Sequence, residues 1–221
     1  MDCRRAVALY RLANKYGIDY LRKEVLKRLK VDYPSSLNAW DRSFTLERAV
    51  FHSEKDDDLS LLTNLAYEYD IQIVLPAMYL TLSRIDNETL LRMRKDDGLN
   101  PQVLETCLVG KEQLFCSMQR YFLSLPSTLD LEAGRKCTHE AHWACNNSMS
   151  AVILDLMAVI CDDAGGGRSL DPLSHLPRYR GKTCSNCSPK FKEIHQALRQ
   201  ELWNNLPSFF GLPKWTEITD Q

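Results

Sequence analysis

One phrase occurs twice in this chain: Leu12-Ala13-Asn14-Lys15-Tyr16-Gly17-Ile18, and Leu65-Ala66-Tyr67-Glu68-Tyr69-Asp70-Ile71 fifty-three residues later. Self-similarity at a period of that order is the mark of a reused helical unit. In each copy Leu, Ala and Tyr fall at i, i+1 and i+4, which sets Leu and Tyr near each other on one helix face. A Gly or Asp then precedes a second apolar-periodic segment. Each copy therefore predicts helix, tight turn, helix. After the first copy Ile18, Leu21, Val25, Leu26 and Leu29 form one stripe, while Arg22, Lys23, Lys27, Arg28 and Lys30 take the wet side. Gly17 suits a left-handed C-cap at the turn.

The rest of the chain also reads as helix, because apolar residues recur at three and four positions and no alternating, β-branched run stands out. The fold class expected is all-α. Helix pairs are predicted at about 4–30 and 58–84, with another helix over 40–52 between them and Pro76 kinking the second pair or opening a new helix. Asn87-Glu88 can cap a short helix ending near Lys95, and Asp96-Asp97-Gly98 reads as a turn. Asn100-Pro101 is an N-cap followed by proline at the first helical position. It opens a long segment whose Val103, Leu104, Leu108, Leu114, Phe115, Met118 and Phe122 form a stripe, and Pro126 is expected to end it. Asn146-Asn147-Ser148 caps an apolar helix over 149–162, the glycine run 165–167 reads as a linker, and a last helix starts near Ser188-Pro189.

The 28 Lys and Arg nearly cancel the 29 Asp and Glu, so the molecule as a whole has no electrostatic pull toward nucleic acid or an anionic membrane. No apolar run approaches the ~20 residues needed to span a bilayer, and no signal peptide is visible, so an intracellular protein of nucleus or cytoplasm is expected. In that setting eight cysteines argue for thiols or metal ligands over a disulfide scaffold.

The residues that carry chemistry are Cys137-x-His139-x-x-His142-x-x-Cys145 and, across a helix and the glycine linker, Cys184-x-x-Cys187. A Cys-x-x-Cys pair at the entrance to a helix lets both sulfurs turn toward one centre, and zinc takes four such ligands in a tetrahedron. Two clusters brought together supply them. Cys137, Cys145, Cys184 and Cys187 make one candidate set, with His139 or His142 replacing one of the first two cysteines as the alternative; the spacing does not choose. Such a site has no open position for substrate and would be a structural clip. Cys3, Cys107, Cys116 and Cys161 read as small buried hydrophobes. A catalytic pair of Cys145 and His142 lacks an orienting residue and an oxyanion loop, so no enzyme is expected.

The stretch Ala6 to Leu29, the segment from Cys107-Leu108-Val109-Gly110-Lys111, the Cys184-x-x-Cys187 pair and the ending Leu206-Pro207, Phe210-Gly211-Leu212-Pro213 and Trp215 resemble fungal BTB (POZ) domain-containing proteins, in the helices that close and follow the BTB domain. The resemblance implies two helical hairpins of post-BTB type over 1–99, then a long connecting helix and a cysteine-rich helical subdomain over 100–221. It implies cysteine ligands over the histidines. It also implies binding work: protein–protein interaction, as a ubiquitin-ligase adaptor on a cullin-type scaffold, a self-associating module or a transcription-related scaffold. A protein of that family opens on a mixed sheet-and-helix core carrying the dimer interface, and most of that core is missing here, so neither self-association nor cullin binding carries over by itself.

The rival reading is a zinc-dependent nucleic-acid-binding protein. Lys190, Lys192 and Arg199 on the last helix, with Arg178, Arg180 and Lys182 before it, offer a local basic patch, against which Glu193 and Glu201 interrupt the face.

Overall fold

The two copies of the repeated phrase close in the same way. In the first, the Ile18 N–H donates to the Ala13 carbonyl at 2.8 Å and the Gly17 N–H to Asn14 at 3.4 Å; in the second, Ile71 donates to Ala66 at 2.8 Å and Asp70 to Tyr67 at 3.3 Å. Both are Schellman turns, and both need a left-handed residue. Gly17 takes it at φ 64° and Asp70 at φ 52°.

The computed structural model describes residues 2–45, 56–133, 137, 145 and 184–218, and among these there are eight helices and no strand. They are α1 (Cys3–Tyr16), α2 (Asp19–Asp32), α3 (Leu37–Thr45), α4 (Asp56–Glu68), α5 (Leu75–Ser83), α6 (Asn87–Asp96), α7 (Pro101–Ala133) and α8 (Cys187–Phe209). The chain divides into two units, one formed by Met1–Glu112 with Asn204–Gln221 and the other by Gln113–Trp203, the boundaries falling within α7 and α8. The part of the predicted 40–52 helix beyond Thr45, the predicted 149–162 helix and the glycine linker lie outside the described residues.

In the first unit α4 packs against α1, α5 and α6, and the most fully buried of these helices is α5. Its Leu75, Ala77, Met78, Tyr79, Leu80 and Leu82 are all buried, as befits a helix that is apolar on every side. Pro76 sits in its first turn, where a missing N–H leaves nothing unpaired, so the proline starts a helix instead of kinking one. In the same unit α1 packs against α2 and α4, burying Ala6, Val7, Tyr10 and Ala13, and α2 buries Val25, Leu26 and Leu29. The ring of Tyr10 meets that of Tyr69 edge-on at 5.3 Å. Leu12 and Tyr16 of the first copy stand 52% and 66% exposed, whereas Leu65 of the second is fully buried. The shared phrase thus meets two different surroundings.

Local chemistry fixes the ends. The cap of α6 is Asp86, one residue before the expected Asn87: its carboxylate accepts from the Thr89 N–H at 2.8 Å. That contact, first among the causes, lowers its pKa. Asn100 caps α7 as expected, accepting from the Gln102 N–H at 2.8 Å. Asn64 of α4 brackets the turn before it, donating to the Gly98 carbonyl at 2.9 Å and accepting from the Asn100 N–H at 2.9 Å. Pro126 does not end α7, which continues to Ala133. Proline's φ is already helical, and one lost hydrogen bond is tolerated in so long a helix.

The C-terminal segment belongs to the first unit. Phe210 stacks on Tyr79, centroids 5.0 Å apart, and Gly110 of α7 lies against the same ring. A methyl group on Gly110 would collide with the Phe210 ring and come within 2.9 Å of the Phe209 carbonyl oxygen. No described helix is long and apolar enough to cross a membrane.

Candidate metal centre

In the second unit, α8 begins at Cys187, directly after the Ser185-Asn186 turn that follows Cys184. The Ser188 N–H donates to the Cys184 carbonyl at 3.0 Å, which folds the two cysteines back toward each other. Pro189 falls in the first helical turn, where no intrahelical N–H is required. The Cys187 N–H, one of the donors a helix start leaves over, turns to Cys184 Sγ at 3.4 Å, and the Cys184 N–H turns to Cys145 Sγ at 3.4 Å.

The sulfurs of Cys137, Cys145, Cys184 and Cys187 all lie within 4.8 Å of one another. Cys137 Sγ is 3.7 Å from Cys145 Sγ and 3.8 Å from Cys184 Sγ. Four sulfurs at ~2.3 Å from a shared zinc ion form a tetrahedron with edges of about 3.8 Å, so the two short separations are those of a ligand shell. None of the four is joined in a disulfide. His139 and His142 lie outside the described residues.

Cys145 and Cys187 are each 1% exposed and Cys184 8%, while Cys137 is half-buried. Burial, with hydrogen bonds among the sulfurs, pushes the Cys145 and Cys187 thiols above the usual range, the Cys184 N–H pulling Cys145 the other way. A dication reverses this balance by binding thiolates. The N-terminal end of α8 adds a positive field at Cys187, and the two N–H donors favour sulfur anions. The donor set therefore fits zinc.

The remaining sequence candidates lie elsewhere. Cys3 and Cys107 are buried in the first unit, as expected of small hydrophobes, and Cys116 is exposed; Cys161 lies outside the described residues. Burial raises the Cys3 pKa to about 11, with Asp58 adding to it, and the Cys107 pKa to about 12. Arg199, read above as part of a basic patch, is 1% exposed, and its guanidinium donates to Gln196 Oε1 at 2.9 Å. His195, one turn before it, is also buried, with Nδ1 2.8 Å from the Tyr121 hydroxyl. Helical spacing held this signal, since 195 and 199 fall on the same face as Phe191, Leu202 and Leu206. The first unit has a cavity of about 330 Å³ lined by Tyr10, Asn14, Arg22, Tyr69, Asp70 and Gln72, in which no nucleophile stands beside a base. No family model, curated protein or solved structure matches the chain.

Proposed function

We propose that this chain is a non-enzymatic interaction protein whose second unit is tied together by one structural zinc ion on Cys137, Cys145, Cys184 and Cys187. The convergence of four cysteine sulfurs, all within 4.8 Å of one another and none in a disulfide, carries the reading. Four protein ligands close the coordination sphere, so the ion supplies cross-linking and no catalysis. It joins residues far apart in sequence, 137 and 145 to 184 and 187, and a closure of that length is where a clip contributes most.

The binding role follows the resemblance to fungal BTB-domain-containing proteins, acting inside the cell on other proteins. Exposed Leu12, Tyr16 and Tyr20, of which Tyr16 is 66% and Tyr20 72% exposed, supply apolar and aromatic contact area suited to protein partners. The nucleic-acid alternative loses one of its cations, because Arg199 is buried.

Elemental analysis of untagged chain purified under reducing conditions tests the metal: about one zinc per chain is expected, lost in Cys184→Ser. Absence of zinc, or its retention in that variant, overturns the site. Capture of partner proteins on immobilised chain, compared with the Tyr16→Ser/Tyr20→Ser double variant, tests the binding surface; identical capture by both removes it.

A further inference from the structure

The four sulfurs are not equivalent. Three of them are shut away, at 1%, 8% and 1% exposure for Cys145, Cys184 and Cys187, and only Cys137 is half-buried. Cys137 has two partner sulfurs at nearly equal distance, 3.7 and 3.8 Å, so closing either pair to a disulfide needs a movement of about 2 Å.

We infer that Cys137 is a modification site, the sulfur of this cluster that hydrogen peroxide oxidises first, and that Cys145 or Cys184 then resolves it to a disulfide that dismantles the metal centre. The inference rests on the metal reading given above for its consequence, though not for its choice of residue.

In the first step a lone pair of Cys137 sulfur attacks one peroxide oxygen. The O–O bond breaks, hydroxide leaves and takes up a proton as water, and Cys137 becomes a sulfenic acid. In the second step the sulfur of Cys145 or Cys184 attacks Cys137 sulfur. The S–S bond forms, the S–O bond breaks, and the departing hydroxide is protonated to a second water. Two electrons pass from two sulfurs to one peroxide, and no other oxidant is needed. With two of four donors joined to each other, the tetrahedral shell is gone.

The test uses the full chain carrying Cys116→Ser, which removes the one exposed thiol outside the cluster among the described residues. Zinc content is measured first; hydrogen peroxide is then added in the presence of dimedone or, separately, before N-ethylmaleimide quenching and peptide mapping. Expected are a dimedone adduct on Cys137, one disulfide containing Cys137 with Cys145 or Cys184, and zinc release in step with disulfide formation, reversed by dithiothreitol and added zinc. Cys137→Ser removes a ligand, so that variant is read by thiol oxidation and not by zinc: oxidation of the remaining cluster cysteines should be slower than in the parent chain by about tenfold or more. Should that variant fail to fold, the adduct and disulfide maps of the parent chain decide alone. First labelling at Cys145, Cys184 or Cys187, or a disulfide that omits Cys137, overturns the inference while leaving the metal site standing. A chain without zinc overturns the metal reading, and the same maps on that chain still decide whether Cys137 is attacked first.

Discussion

Gly17 and Asp70, fifty-three positions apart, occupy the same left-handed position of the same turn, at φ 64° and 52°. Nothing lies within 4 Å of where a Cβ on Gly17 would point, so the glycine answers a backbone demand and not a steric one. A substitution there is expected to cost what the left-handed conformation costs. For Gly17→Val that is about 1–2 kcal/mol, and for Gly17→Asn less than half as much, since Asn and Asp tolerate this region. Urea unfolding of both variants checks the ranking, and equal losses would count against it.

Gly110 is a different case. Any side chain there strikes the Phe210 ring and the Phe209 carbonyl. Gly110→Ala is expected to cost about 3 kcal/mol, as overpacking does, and Phe210→Ala in the same chain should return part of it, with a coupling of about 1 kcal/mol or more. A double-mutant cycle by chemical denaturation measures the coupling; strict additivity would mean the two do not meet.

Asn64 uses both ends of its amide on one turn, donating to Gly98 and accepting from Asn100. Asn64→Asp keeps the acceptor but sets a carboxylate against the Gly98 carbonyl. The loss expected is about 1 kcal/mol, similar to that of Asn64→Ala, and shows as a melting temperature lower by about 2–4 °C.

The pH dependence follows from buried groups whose neutral form is preferred. Burial raises Cys107 from 9.0 to about 12 and Tyr79 from 10.0 to about 12. Above pH 9 the unfolded chain gives up its Cys107 proton while the folded chain holds it, so their stabilising effect is complete below pH 9 and falls as pH rises toward 12. For Cys107 alone the fall is on the order of a few kcal/mol by pH 12. Cys107→Ala should flatten the descent in denaturation midpoints between pH 9 and 11. At pH 8, Cys116 should label with a maleimide while Cys107 does not.

Chelation separates the two units in the readout. With the metal removed, amide hydrogen exchange should accelerate over 187–203, the part of α8 that carries Phe191, Ile194, His195 and Trp203. The protection of α1, α2, α4 and α5 should stay as it was. Uniform acceleration across the chain would show that the cysteines do more than tie their own unit.

What was legible in the sequence was whatever a few adjacent residues decide. The turn at Gly17, the cap at Asn100-Pro101 and the amphipathic stripe of α2 are of this kind, and each stands where its local chemistry predicts. The Cys184-x-x-Cys187 pair was legible from its place at a helix entrance, whereas the preference for Cys137 and Cys145 over His139 and His142 came from the resemblance, because spacing does not choose between them. What escaped was decided by neighbours distant in the chain. Leu12 and Leu65 hold the same place in the repeated phrase, yet one is exposed and the other buried, and no window of seven residues distinguishes them. Arg199 carries a charge that composition assigns to the surface, but it sits on the apolar face of α8 among Phe191, His195 and Leu202. His195 became a partner for Tyr121 only once α7 and α8 met.

The stacking of Phe210 on Tyr79 has a consequence for biosynthesis. The first unit is built from the beginning and the end of the chain, with the whole of the second unit between them. A nascent polypeptide that has emerged through Trp203 has every residue of α1 to α6 and still lacks the ring that covers Tyr79 and fills the space beside Gly110. That apolar seat stays open on the ribosome until Phe210 has followed, so a chain stopped before Phe210 would expose the amino-terminal helices to chaperones and proteases.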